Sequence, residues 1–261
     1  MQKETEKLLK ELTNKEHIKI VSRGNKAILY ALRIAKKLGK TNVFIQDQGG
    51  WITYTQFIKK LKLELNILKT DYGLIKKEEL NKINKDSVLL INSLPGYFAE
   101  EDIETIYNTC KKKNCLVIND ISGSIGTKAA KIGDILVCSF GKDKPLNYGK
   151  GGLFAVEKEE WFNLTEINEE ELEKDFYEAL SNLSKRLSKL DKINKKIKHD
   201  LKNEKIIHKE KRGINVIVKF NNDQEKNKIT SYCIENKYEF TLCPRYIRVN
   251  CNAVSIEVKR C

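Results

Sequence analysis

Between residues 17 and 139 the chain alternates short apolar runs with longer amphipathic stretches, and this alternation narrows the possible folds more than any other property of the sequence. The runs at 17–21, 42–45, 65–69, 87–92, 116–119 and 135–139 read as strands, and the stretches at 27–38, 55–63, 77–83 and 101–113 read as helices. A helix between successive strands favours parallel pairing, so the expected fold class is α/β, a mainly parallel sheet sandwiched by helices. A charged helix over 1–16, with Leu8, Leu9 and Leu12 as its apolar stripe, precedes this unit. After Gly152 the pattern changes to a strand at 153–156 and a long helical region over 169–201. The remainder suggests a small C-terminal α/β domain: strand 214–220, helix 224–236, and strands 239–243, 246–250 and 255–258. The expected division is a large domain over 1–160, then the long helix and small domain over 161–261.

Composition excludes several classes of function. With 261 residues, 40% hydrophobic and 33% charged, the chain can bury a good core and is not disordered. No apolar run approaches the about 20 residues that cross a bilayer, and the N-terminus lacks a signal-peptide core, so a cytoplasmic protein without membrane contact is expected. The net charge of +13 draws attention to nucleic acid. The densest basic run, from Lys185 and Arg186 through Lys198 to Lys211 and Arg212, is interleaved with Asp191, Asp200, Glu204 and Glu210, and reads as a solvated helix face, so nucleic-acid binding is not favoured. Seven cysteines without Cys-x-x-Cys spacing give no zinc signature, and no metal site is expected.

Open parallel sheets bind ligands beyond the C-terminal ends of their strands, and the residues at those ends form a chemical set. Lys144 lies in the block from Ser139 to Gly152, just after the 135–139 strand, where an amine of lowered basicity can attack a carbonyl. Lys142 and Lys150 share the block, and its glycines let the backbone turn around a bulky group. Asp120 ends another strand and can pair with a buried cationic ring nitrogen. Ser22-Arg-Gly-Asn-Lys26 opens a helix whose free N–H groups suit a phosphate, with Gly24 and Asn25 at its head, and Ser139 is expected to be a further phosphate contact. Trp51 follows a glycine pair and can stack on a planar ring. Anion site, stacking ring, carboxylate and Schiff-base lysine are together the parts that hold pyridoxal 5′-phosphate.

The same residues resemble the fold-type I pyridoxal-phosphate enzymes, and within them the DegT/DnrJ sugar aminotransferases. Ser139, Phe140, Lys144, Leu146, Gly149, Gly151 and Gly152 match that family's lysine block without a gap. Residues 117–120 with 124–126, Gly133-Asp134, residues 23–32 and Trp51-Ile-Thr53 are similar to its aspartate strand, its Gly-Asp pair, its phosphate turn and its ring-covering segment. The resemblance implies aminotransfer through a Schiff base on Lys144, with Asp120 supporting the ring, small-molecule amino donor and acceptor, and a homodimer. It also implies that Arg248, within residues 246–250, grips a substrate carboxylate.

Departures from the pattern keep other readings open. Gly123 stands where the family has glutamine, residues 168–174 replace the segment that reaches the neighbouring subunit, and the chain is shorter than is usual for the family. One alternative is a non-catalytic subunit of this fold that binds a protein or RNA. The other is a pyridoxal-phosphate enzyme acting on aminoacyl-tRNA.

Overall fold

All six residues of the strand Ser87–Asn92 are buried, and its side chains alternate between two cores. Val88 and Leu90 join one apolar cluster while Leu89 and Ile91 join another. A strand covered on both faces belongs at the centre of a three-layer sandwich, since each face needs its own layer of helices. The computed structural model describes residues 2–171 and 173–261. Met1 in the expected 1–16 helix and Leu172 in the expected 169–201 region lie outside the described residues.

In chain order the large unit comprises α1 (Gln2–Thr13), β1 (His17–Val21), α2 (Gly24–Lys37), β2 (Asn42–Gln46), α3 (Thr53–Lys60) and β3 (Glu64–Leu68). It continues with the hairpin β4 (Thr70–Asp71) and β5 (Leu74–Ile75), then β6 (Ser87–Asn92), α4 (Ile103–Lys112), β7 (Leu116–Asp120), β8 (Ile135–Ser139) and β9 (Gly152–Val156). The seven-stranded sheet has the order β1-β9-β8-β7-β6-β2-β3. Neighbours from β8 to β3 are parallel, and β9 alone runs against both its partners. Helices α2 and α3 cover one face through Ala27, Ala31, Ile34, Tyr54 and Ile58. On the other face α4 packs through Ile103 and Ile106, and α1 through Leu9.

Beyond the sheet follow α5 (Lys174–Ser181), α6 (Leu183–Asp200), β10 (Lys205–Ile206), β11 (Val216–Lys219), α7 (Asp223–Glu235), β12 (Phe240–Cys243) and β13 (Ala253–Ile256). The last four strands form an antiparallel sheet ordered β10-β11-β13-β12, packed on α6 and α7 through Leu190, Ile197, Ile229 and Cys233. The loop after β6 enters this second core through Leu94 and Tyr97. There Ile214 donates its N–H to the Tyr97 carbonyl at 2.8 Å and Glu100 donates to that of Arg212 at 2.8 Å. Between them Gly213 sits so close to Phe98 that a Cβ would fall 2.3 Å from its carbonyl oxygen.

Several expected elements take another form. Residues 77–82 make a 3-10 helix rather than an α-helix, a geometry suited to short pieces, with Glu79 turned back to accept from the Lys69 N–H at 2.8 Å. The expected 169–201 helix is two helices that meet at Asn182. Its start is extended instead, because Glu170 donates to the Ile20 carbonyl at 2.9 Å and Glu169 bridges Val21. The expected strand 246–250 is a turn: Pro244 has no N–H to continue the ladder from β12, and the chain folds back so that Arg248 donates to the Arg245 carbonyl at 2.8 Å. The final strand lies at 253–256 rather than 255–258. Among the described residues no helix is long and apolar enough to cross a membrane.

Candidate active site

Strands β6, β7 and β8 run parallel, so the residues at their C-terminal ends emerge on one edge of the sheet. Asn92, Asp120 and Ser139 end those strands, and all three line a cavity of about 200 Å³. Gly24 and Asn25 at the head of α2, Trp51 before α3, Tyr97 and Lys144 also line it. Six residues expected from sequence to bind one ligand, Gly24, Asn25, Trp51, Asp120, Ser139 and Lys144, therefore meet in one place.

Local chemistry explains how each is held. α2 starts after Arg23, whose backbone is extended, and no side chain caps it, so its N-terminal dipole faces the cavity. That approach depends on two glycines. A Cβ on Gly24 would lie 2.6 Å from the Ser139 Cβ, and one on Gly152 would lie 2.7 Å from both the Cys138 oxygen and the Gly24 nitrogen. Asn25 Oδ1 accepts from Trp51 Nε1 at 2.9 Å and so orients the indole. The loop that carries Lys144 is closed by Gly149, which donates to the Phe140 carbonyl at 2.8 Å, and by Asp143, which donates to Asn147 Oδ1 at 2.8 Å. Lys150 in the same block pairs with Glu173 at 2.5 Å, and neither it nor Lys142 lines the cavity.

The charges are organised around two tyrosines. Tyr54 OH donates to Asp120 Oδ2 at 2.5 Å while Ser122 N–H donates to Oδ1 at 3.0 Å, so both oxygens of a buried carboxylate are satisfied. Burial, then the charge of Asp120, pushes the Tyr54 phenol well above its ordinary value, which keeps it a donor. Tyr97 hydrogen-bonds Lys144 Nζ through its hydroxyl. Its backbone has φ of 68°, a left-handed conformation that a bulky residue adopts only where the surroundings enforce it. Lys144 Nζ lies 4.5 Å from the Tyr97 ring centre and 5.3 Å from that of Trp51. Arg248 and Lys259 also approach the Tyr97 ring, at 5.1 and 5.4 Å.

Arg248 is set apart from the other expected site residues. It is buried on a turn rather than placed on a strand, and its neighbour Ile247 lines the cavity while Arg248 does not. Nε and Nη2 donate to the two oxygens of Glu257 at 2.9 and 2.8 Å, and Nη1 donates to the Ile247 carbonyl, so the fork that would grip a carboxylate is already occupied. Burial works to raise the Glu257 carboxyl, but hydrogen bonds and charge from Arg248, with Lys259 behind them, bring it down to about 2. Burial, with the charges of Arg248 and Lys144, brings the Lys259 ammonium down to about 8 against the pull of Glu257.

Residues 1–172 match the DegT/DnrJ/EryC1/StrS aminotransferase family. The chain belongs to that family. Its cofactor is pyridoxal 5′-phosphate, and this aminotransferase-like enzyme has the fold-type I architecture expected from its sequence. Residues 184–261 match a second family, described as the MJ1341 family C-terminal domain. No curated protein sequence matches the chain significantly.

Among solved structures, the aminotransferase is similar in fold to 3-amino-5-hydroxybenzoic acid synthase, with 12% identity over 99% of this chain and 85% of that one and a TM-score of 0.77. It is also similar to Helicobacter pylori PseC, an aminotransferase of pseudoaminic acid biosynthesis, with 13% identity over 97% and 84% of the two chains and a TM-score of 0.75. A DegT DnrJ EryC1 StrS aminotransferase from Brucella abortus gives 14% identity, coverage of 98% and 84%, and a TM-score of 0.73.

The residues present fit pyridoxal phosphate. The cradle between Gly24 and Ser139 leaves no room for a Cβ, the uncapped α2 terminus faces the same cavity, and a hydrogen-bonded carboxylate lies deep inside it. Gly123, where glutamine is usual, is packed against Leu94 and Tyr97, with ideal Cβ distances of 3.1 Å to both side chains. Any side chain there would press on Leu94 and Tyr97, which would have to give way by a few tenths of an ångström. Tyr54, Tyr97, Glu257 and Lys259 were not identifiable from the sequence pattern. The usable hints were only a glycine before Tyr97 and a tyrosine three residues after Trp51.

Proposed function

We propose that this aminotransferase moves an amino group between a small-molecule amino donor and a carbonyl acceptor, with Lys144 as the amine that bonds the cofactor aldehyde. The observation that carries this reading is the selective placement of Lys144. Of the three lysines in its block it alone lines the cavity, beside the buried Asp120 and the Trp51 ring. When bound, pyridoxal phosphate supplies the electron sink that makes a substrate α-hydrogen acidic.

The protein groups do the rest. The α2 N-terminus, with Gly24, Asn25 and Ser139, holds the phosphate dianion. Tyr54 and the Ser122 N–H each hold one oxygen of Asp120, which orients the carboxylate toward the ring nitrogen and leaves it acceptor sites for that partner. Trp51 and Tyr97 flank the Lys144 amine and limit its path, so that once free it takes the α-proton of the substrate and returns it. Arg248 enters as support behind Tyr97 rather than as a substrate grip.

Reduction with borohydride after incubation with pyridoxal phosphate tests this reading. The cofactor should be found on Lys144 by peptide mapping, and Lys144→Ala should remove both the label and the visible absorbance. Labelling at Lys142 or Lys150 would overturn the assignment.

A further inference from the structure

Folding turns the basic run between Lys185 and Arg212 back on itself, so that two stretches of it face one another. Lys195, Lys198 and Lys202 recur along and just beyond the end of α6, in steps of about 5 Å at helical rise. Lys209, Lys211 and Arg212 follow after a turn, and all six line one groove of about 610 Å³. Lys198 Nζ donates to the Lys211 carbonyl at 2.6 Å, which ties the two runs to each other.

Most of this charge has no counterion. Lys195 pairs with Asp191 at 2.7 Å and Arg212 with Glu100 at 2.9 Å. Among the described residues, Lys198, Lys202, Lys209 and Lys211 make no ion pair within 4 Å. Asp191 and Glu210 are the only carboxylates in the groove wall, against six cations. Burial pushes the Lys198 ammonium below its ordinary value, with Glu210 and Asp191 pulling the other way. A half-buried cation without a contacting anion is a cost that an arriving anion removes.

The arrangement discriminates among anions. A single phosphate is held by donors converging on one point, whereas cations in rows suit a linear polyanion. His199 is the one aromatic ring in the groove wall, so there is no platform on which successive bases would stack. We infer that this groove binds the phosphodiester backbone of a nucleic-acid strand without reading its sequence, at a site separate from the cofactor cavity.

Fluorescence anisotropy of the full chain with a labelled oligouridylate of about 16 nucleotides tests the inference. If three or four phosphates are engaged, log K should fall against log salt with a slope of about −2 to −3. Lys202→Glu with Lys209→Glu should weaken binding at least about tenfold and flatten that slope. Lys59→Glu with Lys60→Glu, exposed at the end of α3, changes net charge equally and should leave affinity within about twofold. Cofactor absorbance reports that each variant is folded. Equal weakening by the two pairs would reduce the effect to overall charge and overturn the site, as would absent or salt-insensitive binding. Displacement of the strand by polyglutamate at equal charge would assign the groove to an acidic protein instead.

Discussion

Tyr54 has one hydroxyl proton, and Asp120 receives it. The carboxylate is thereby held from one side by a phenol on α3 and from another by the backbone after β7, which fixes its orientation. Asp120→Asn preserves the shape but removes the charge that a protonated ring nitrogen requires. We expect it to retain cofactor while slowing the half-reaction with an amino donor on the order of a hundredfold or more, read by single-turnover absorbance. Tyr54→Phe leaves the charge but frees the carboxylate to turn, and a loss of about tenfold is expected. An Asp120→Asn protein with unchanged turnover would mean that the carboxylate only supports the fold.

At the scale of elements, the site depends on how closely α2 can approach β8. Gly24→Ala places a methyl group where the Ser139 Cβ already stands, so the helix must move outward. Overpacking of this kind costs about 1–3 kcal/mol, to be read from denaturant unfolding, and cofactor titration should show a parallel loss of affinity. Unimpaired cofactor binding would remove the α2 terminus from the phosphate seat. The elements that build this approach were legible in the sequence because buried strands flanked by helices leave continuous apolar runs, as at 87–92 and 116–119. Lys144, Asp120, Gly24 and Trp51 were legible because each sits beside such a run. Tyr97, Glu257 and Lys259 were not, since the loop that carries Tyr97 and the C-terminal segment that carries the other two are united only by the tertiary fold. The turn at 246–250 has the β-branched and aromatic content of a strand, and its form is set by a missing donor at Pro244 and by the burial of Arg248 against Glu257.

The whole molecule leaves apolar side chains exposed both in its C-terminal unit, at Ile234 and Leu242, and along the edge of its large sheet. Edge strand β3 leaves Leu65 and Ile67 open at 41% and 45%, and Ile52, beside Trp51 at the cavity, is 49% exposed. Apolar side chains left open along a sheet edge are expected to be covered by a second copy of the chain. Sedimentation equilibrium should therefore give a homodimer, and Leu65→Lys with Ile67→Lys should shift it toward monomer with weaker cofactor binding. A monomer that holds cofactor tightly would rule out a site shared between subunits. Within one chain, the seam where Gly213 presses on Phe98 has a mechanical meaning. With hydrogen bonds at Tyr97 and Glu100 on either side of it, the joint has little slack, so any displacement of residues 212–214 would be carried into the loop that holds the Tyr97 hydroxyl against Lys144. Arg212, which lines the basic groove, lies at that same joint.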